Sequence, residues 1–364
     1  MTGKQKAGKG STQLSAGRDV IIIDQAKSVS DIRDIVKSEI KLTLSNYKAD
    51  ALEKYIAKGD SMMEKLVSVI GDDQKKLNAF SDPDFNFAMR DAGRAIASND
   101  SEYTEELLVE ILANRAAYSG SNKVKIVTKQ AIEAADKLTD GTLSALANFW
   151  VMLNIVPQKS HFNNELAAYS RIYGGSFDTL QPAFPPEWIE EAELLRLVEV
   201  ERGFGSESTK SFVELLGERL PRYLRAGIPV ERWGDMNKVL QEHKHDIRIN
   251  VIQHPLKEGF VLIDHDTKEQ FLAAVDEAAT DKEPVRNIID EMVASNNFDA
   301  VDSTTQEELK KLIDGDANLR KASEWWHKLP ACRVTTVGKA IGYLHARRHI
   351  KFAGADTLED YLGS

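Results

Sequence analysis

The apolar positions of this chain recur at two different spacings, and the change from one to the other falls within its first fifty residues. Thr12-Gln13-Leu14-Ser15 and Asp19-Val20-Ile21-Ile22-Ile23-Asp24 flank a turn at Ala16-Gly17-Arg18. The β-branched run and the glycine turn predict a short two-stranded ribbon. Such a ribbon is marginal alone in water and needs a partner edge, from the body of the chain or from a second copy. From Ser28 the period becomes helical: Ile32, Ile35, Val36, Ile40, Leu44 and Tyr47 trace one face behind a capping pair at Ser28 and Asp31. Leu52, Tyr55, Ile56, Met63, Leu66, Val67 and Ile70 repeat that stripe. Gly59 lies on it where a close helix approach is permitted, and Gly71 with Asp72 and Asp73 supplies the stop.

Further helices are expected at about 83–97, 102–118, 122–138 and 140–154. The last is the clearest, with Leu143, Leu146, Ala147, Trp150 and Val151 at i, i+3, i+4, i+7 and i+8. Short loops between them imply an antiparallel bundle. Between 156 and 186 the pattern weakens at Pro157, Gly174, Gly175, Pro182, Pro185 and Pro186, which marks an irregular connector and the main domain boundary. Beyond it, 188–202, 211–224 and 232–243 read as helices. Residues 248–253 and 260–263 read as a β-hairpin across the loop from His254 to Gly259. Helices at 267–279, 284–295, 303–328 with a break near Gly315, and 336–349 finish the chain. The expected fold class is therefore mostly α: a leader and β ribbon over 1–27, a multi-helix bundle over 28–155, the connector over 156–186, and a second helical domain with a small hairpin over 187–364. No repeat of 20 to 50 residues is present to suggest a solenoid.

Composition narrows this picture. With 364 residues, 42% hydrophobic and 29% charged, the chain falls in the globular range, which excludes collagen, a disulfide miniprotein and wholesale disorder. The lone Cys332 cannot form an internal bridge, so a reducing, cytoplasmic setting is expected. No apolar run approaches the roughly 20 residues that span a bilayer. No apolar segment of a secretion signal follows Lys4 to Lys9 either, so no membrane contact is expected. The net charge of -10 is unevenly placed: residues 1–50 carry nine basic and six acidic side chains, residues 251–300 four and eleven. That balance argues against broad contact with nucleic acid.

Few groupings carry chemistry. Gly3-Lys4-Gln5-Lys6-Ala7-Gly8-Lys9 begins like a phosphate-binding loop, but Gly10 stands at the Ser/Thr position and no strand precedes it. His243, His245 and Asp246 before the hairpin, with Asp264, His265 and Asp266 after it, would meet at one end of the two strands. Imidazole with carboxylate is a ligand set for zinc, manganese or non-haem iron. The competing reading of both clusters is ordinary solvated strand ends. Cys332, near His327 and Arg333, has no surrounding nucleophile signature and reads as an inert thiol. Lys339, Arg347, Arg348 and Lys351, with His345 and His349, form a basic cluster on the last long helix. Such a cluster suits phosphate contact, or simply complements the negative end of the helix dipole. Of the adjacent Trp325 and Trp326, at least one should be core.

The leader Gln13-Leu14-Ser15-Ala16-Gly17-Arg18-Asp19-Val20 resembles the Gln-x-x-Ala-Gly-Gly/Arg-Asp-Val leaders that precede varied helical or NTPase modules in bacterial conflict and phage-defence proteins. Asp82-Pro83-Asp84-Phe85, the helix with Leu107, Leu108 and Ile111, Leu138-Thr139 ahead of Leu143, and Thr336-Val337-Gly338-Lys339-Ala340-Ile341 are similar to a family of uncharacterised bacterial helical proteins. The resemblance implies a bacterial cytoplasmic protein linked to defence, and it brings no enzymatic residues with it. Taken together, the expected function is a non-enzymatic, homo-oligomeric interaction protein without a cofactor, its copies joined through Leu14, Val20, Ile21, Ile22 and Ile23. The competing classes are a metal-dependent hydrolase or nuclease at the His/Asp clusters, and a nucleic-acid binder at the C-terminal basic cluster.

Overall fold

A computed structural model describes residues 49–71, 73–118, 120–201, 210–242, 249–275, 283–350 and 358–363. The leader ribbon and the helix expected from Ser28 lie outside these residues. The fold is mostly α with a few short strands, as the periodicity implies.

In chain order the elements are α1 (Ala49–Ile70), α2 (Gln74–Leu77), α3 (Pro83–Ser98), α4 (Glu102–Ala117), α5 (Asn122–Ala135), α6 (Asp140–Asn154), α7 (Phe162–Leu180) and α8 (Glu187–Leu194). Then follow β1 (Val198–Val200), α9 (Phe212–Arg219), β2 (Ile228–Pro229), α10 (Val230–Glu242), β3 (Val251–Gln253), β4 (Phe260–Ile263) and α11 (Lys268–Ala274). The chain ends with α12 (Glu283–Asn296), α13 (Ser303–Gly315), α14 (Ala317–His327), β5 (Cys332–Val334), α15 (Thr336–His349) and α16 (Leu358–Gly363). Helix starts follow local chemistry. Asp82, Ser101, Ser121, Thr139 and Thr335 each accept a hydrogen bond from a backbone N–H in the first turn behind them, and Pro83 occupies the first turn of α3, where an N–H is dispensable.

The chain forms two compact units, both discontinuous in sequence. The first gathers residues up to Ile155, Thr179–Glu201 and Cys332 to the C-terminus; the second gathers Val156–Asp178 and Arg202–Ala331. In the first, α15 lies along α6 and also meets α4 and α5. Glycine makes this approach feasible. A Cβ on Gly342 would stand 2.6 Å from the Leu146 carbonyl oxygen, and one on Gly338 would stand 2.2 Å from that of Leu197. Leu143, Leu146, Ala147, Trp150 and Val151 are all buried, as their helical spacing implies. Trp150 packs against Tyr343 and Tyr361, with ring centroids 5.3 and 5.8 Å away. Glu191 of α8 receives the Thr139 N–H at 2.6 Å and the hydroxyls of Thr139 and Thr142 at 2.8 and 2.6 Å, placing a carboxylate at the positive end of α6. β1 and β5 pair antiparallel, Val198 opposite Val334 and Val200 opposite Cys332.

In the second unit the expected hairpin forms, and β2 adds to it to give an antiparallel sheet of order β2-β4-β3. Ile228, Val261 and Ile263 of this sheet share a core with Met236 and Leu240 of α10, Phe271 of α11, and Val285, Ile289 and Met292 of α12. Trp325 and Trp326 are both buried.

Three expectations need correction. The segment 156–186 is not an irregular connector, because α7 runs through Gly174 and Gly175. A Cβ on Gly174 would fall 2.5 Å from the Asn318 side chain, so this glycine serves packing against α14. The helix expected to reach residue 202 stops at Leu194. Arg196 turns at φ +58°, the Leu197 N–H closes on the Ala192 carbonyl at 2.8 Å, and the chain enters β1. Residues 187–201 and 332–350, expected within one continuous C-terminal domain, belong to the unit of the N-terminal helices. Both strand and domain membership depend on a partner more than a hundred residues away, which local periodicity does not report.

Replacing Trp150 by Ala should cost on the order of 3 to 5 kcal/mol through the cavity it leaves. Gly342→Ala should destabilise by about 1 to 3 kcal/mol, because the added methyl meets backbone. Gly93, helical with nothing within 4 Å of its would-be Cβ, is the control. Gly93→Ala should gain about 0.5 to 1 kcal/mol. Urea unfolding followed by tryptophan fluorescence measures all three.

Candidate functional site

The hairpin sets the described side of the expected His/Asp grouping, Asp264, His265 and Asp266, at the end of a sheet. The Asp264 N–H donates to the Asn250 carbonyl at 2.9 Å, so the chain entering β3 lies beside the chain leaving β4. His243, His245 and Asp246 lie outside the described residues. The other three members are held by cations that sequence reasoning did not single out. Arg222 donates to Asp264 Oδ1 at 2.6 Å, and Lys159 pairs with Asp266. The hydrogen bond from Lys159, ahead of the nearby arginine charges, holds the Asp266 carboxyl below its usual range. The guanidinium of Arg225, fully buried, donates to the carbonyls of His265 and Asp266 and stands 4.5 Å over the Phe298 ring. Burial pushes it down to about 10, so it stays cationic at neutral pH. His254 locks the other side of this clamp. Its Nδ1 accepts the Leu256 N–H at 3.1 Å, which leaves the proton on Nε2 to donate to the Arg225 carbonyl at 3.0 Å.

Glu165 completes the network. Buried, it accepts the Ser160 N–H at 2.8 Å and lies 3.6 Å from Arg222. Asp264 and Glu165 are thus the counter-charges of the partly buried Arg222, and Asp266 that of Lys159. Among the described residues no group of three or more His, Cys, Asp or Glu is placed to hold a metal ion.

The basic cluster on α15 spreads along the helix. Lys339 is exposed near its start and Arg347 and Arg348 lie in the last turn, about 12 Å farther at 1.5 Å per residue. Lys351 lies outside the described residues. Arg348 reaches Glu106 and Glu110 of α4, each at 3.4 Å, and Arg347 donates to the Tyr343 hydroxyl at 3.2 Å. His345 is buried at 1% exposure with neither ring nitrogen hydrogen-bonded. Tyr103 stands edge-on to both His345 and His349, whose own rings are 4.6 Å apart. The Nε2 of His349 comes within 3.5 Å of Glu106, close enough for ionic attraction but not aligned as a hydrogen bond. Burial, with the neighbouring His349 adding to it, pushes His345 down to about 3. Cys332 is half-buried, and burial with the nearby Glu201 raises its thiol to about 11, so it is protonated at neutral pH.

A protein-family model described only as ":-like" matches residues 26–356, and the chain belongs to that family. No curated protein and no solved structure matches it. No helix among the described residues is long and apolar enough to cross a membrane.

His345 makes folding pH-sensitive in a definite direction. Its folded value lies below the unfolded value, so the unfolded chain takes up a proton near pH 6.5 that the folded chain refuses until about pH 3. Stability is full above pH 6.5 and falls as the pH drops towards 3, by about 2 kcal/mol at pH 5. In His345→Leu this component should vanish, and the variant should equal or exceed the parent at pH 7, since no unpaired imidazole is buried. Urea midpoints at pH 7, 6 and 5 test this; an unchanged slope in the variant would exclude His345 as its source.

Proposed function

We propose that this chain is a non-enzymatic, homo-oligomeric interaction protein of the bacterial cytoplasm, its copies joined through the leader at Leu14, Val20, Ile21, Ile22 and Ile23. The observation that carries the proposal is the division between leader and body. The family match begins at residue 26, so the β-branched leader stands outside the shared helical body. A ribbon that short requires a second edge. The engagement of Asp264, Asp266 and Glu165 by arginine and lysine supports a binding role over a hydrolytic one. The resemblance of the leader to those of bacterial conflict proteins supports a place in anti-phage defence, with sensing passed between molecules and a protein partner engaged by the helical body. Light scattering on the full chain and on a chain beginning at Lys27 tests it. The full chain should exceed a monomer, and the shorter one should be smaller yet folded. Equal subunit counts for the two would sink the proposal.

A metal-dependent hydrolase or nuclease is the second reading, favoured by the pairing of Asp264 with Asn250, which supports a common location for residues before β3 and after β4. Metal analysis of the purified protein separates the two. Stoichiometric zinc or manganese that is lost in His245→Ala would favour the enzyme.

A further inference from the structure

Between α3 and α5 the first unit holds a cleft of about 250 Å³, lined by the cations Arg90, Arg115 and Lys129, the carboxylates Asp84 and Asp91, and the apolar Phe87 and Ile132. Its cations differ in how they are held. Arg115 is 4% exposed and fixed from three sides: Asp84 at 2.6 Å, the Lys125 carbonyl at 3.0 Å and the Thr128 hydroxyl at 3.1 Å. Its Nε has no hydrogen-bond partner. Arg90 is half-buried, with its guanidinium 4.9 Å over the Phe87 ring and its own Nε unpartnered. Neither Arg90 nor Lys129 forms an ion pair among the described residues. The carboxylates nearby are already taken: Asp84 by Arg115 and Lys125, Asp82 by Lys125, and Asp91 by Arg94.

The charged lining of the cleft is therefore Arg90, Arg115 and Lys129 against Asp84 and Asp91. This local excess of one positive charge stands in a chain of net charge -10. Phe87, 54% exposed, and the buried Ile132 give the same cleft an apolar wall. We propose that this cleft binds a small phosphomonoester, its dianionic phosphate held by Arg90 and Lys129 beside the fixed Arg115, and its organic part resting on Phe87 and Ile132. The two cations without an ion pair, Arg90 and Lys129, match the roughly −1.5 to −2 that a phosphomonoester carries at neutral pH. A guanidinium presenting its Nε and Nη edge suits two phosphate oxygens at once. The cleft admits a small molecule, and Arg115 is prepaid in its geometry, since its other donors are already fixed by the protein.

Isothermal titration of the full chain with phenyl phosphate, inorganic phosphate and benzoate tests the proposal. Phenyl phosphate should bind saturably at one site per chain, and benzoate at least about tenfold more weakly, because it carries one charge fewer. Arg90→Ala and Lys129→Ala should each weaken phenyl phosphate by about tenfold or more with the helical circular dichroism unchanged. Phe87→Ala should weaken phenyl phosphate and leave inorganic phosphate unaffected. An absence of saturable binding overturns the proposal, as does parental affinity in a folded Arg90→Ala/Lys129→Ala double variant. Tighter binding of a phosphoserine peptide than of phenyl phosphate would assign the cleft to a phosphorylated protein and overturn the small-molecule reading.

Discussion

The first unit depends on one close approach, that of α15 to α6 at Gly342, where the absence of a side chain lets two helices meet almost backbone to backbone. That contact brings the far end of the chain into the N-terminal bundle. It sets Tyr343 against Trp150, draws the strand ahead of α15 into register with β1, and buries His345 against Tyr103. Gly338 makes a second such approach one turn earlier, over the Leu197 carbonyl. A methyl at either position would have to displace backbone atoms, which have nowhere soft to go.

Arginine that is buried or partly buried is the second organising element. Arg115, Arg222 and Arg225 each lose hydration on folding, and each recovers it from a different source: a carboxylate with two backbone or hydroxyl oxygens, two carboxylates with a tyrosine, and two backbone carbonyls with an aromatic face. Removing a partner would strand a charge in a low-dielectric setting, so these clusters tie distant segments tightly. The Asp264 to Asp266 stretch is positioned by this demand. Its carboxylates meet Arg222 and Lys159 and two of its carbonyls meet Arg225, which accounts for the acidic groups at the hairpin end. The same physics distinguishes the α3/α5 cleft, where Asp84, the Lys125 carbonyl and Thr128 fix Arg115 while Arg90 and Lys129 form no ion pair among the described residues.

Much of this was legible in the sequence. The helices at 83–98, 102–117, 122–135 and 140–154 follow from apolar spacing and from the Ser, Thr and Asp caps, both of which act within one or two turns. The hairpin across His254 to Gly259 followed from two strand-like runs either side of a Pro- and Gly-containing loop, again local causes, and Gly259 turns at φ +77°. The site chemistry was far less legible. Asp264, His265 and Asp266 could be picked out as a cluster, but whether an acid serves a metal or an arginine depends on what lies opposite. Arg222 and Arg225 carry no mark in the sequence that sets them apart from a surface arginine.

What the sequence by itself determined is therefore the set of elements within reach of local forces: helical period, caps, turns and the tight hairpin. What only the tertiary structure decided is partnership. Gly174 looked like a helix breaker and is a contact point for Asn318. Val198 to Val200 extended a helix on paper and is a strand because Cys332 to Val334 lies beside it. The last helix looked like part of a second domain and closes the first. The physical reason is the same in each case. Burial and pairing reward contacts irrespective of separation along the chain, whereas periodicity and capping report only on neighbours a few residues away.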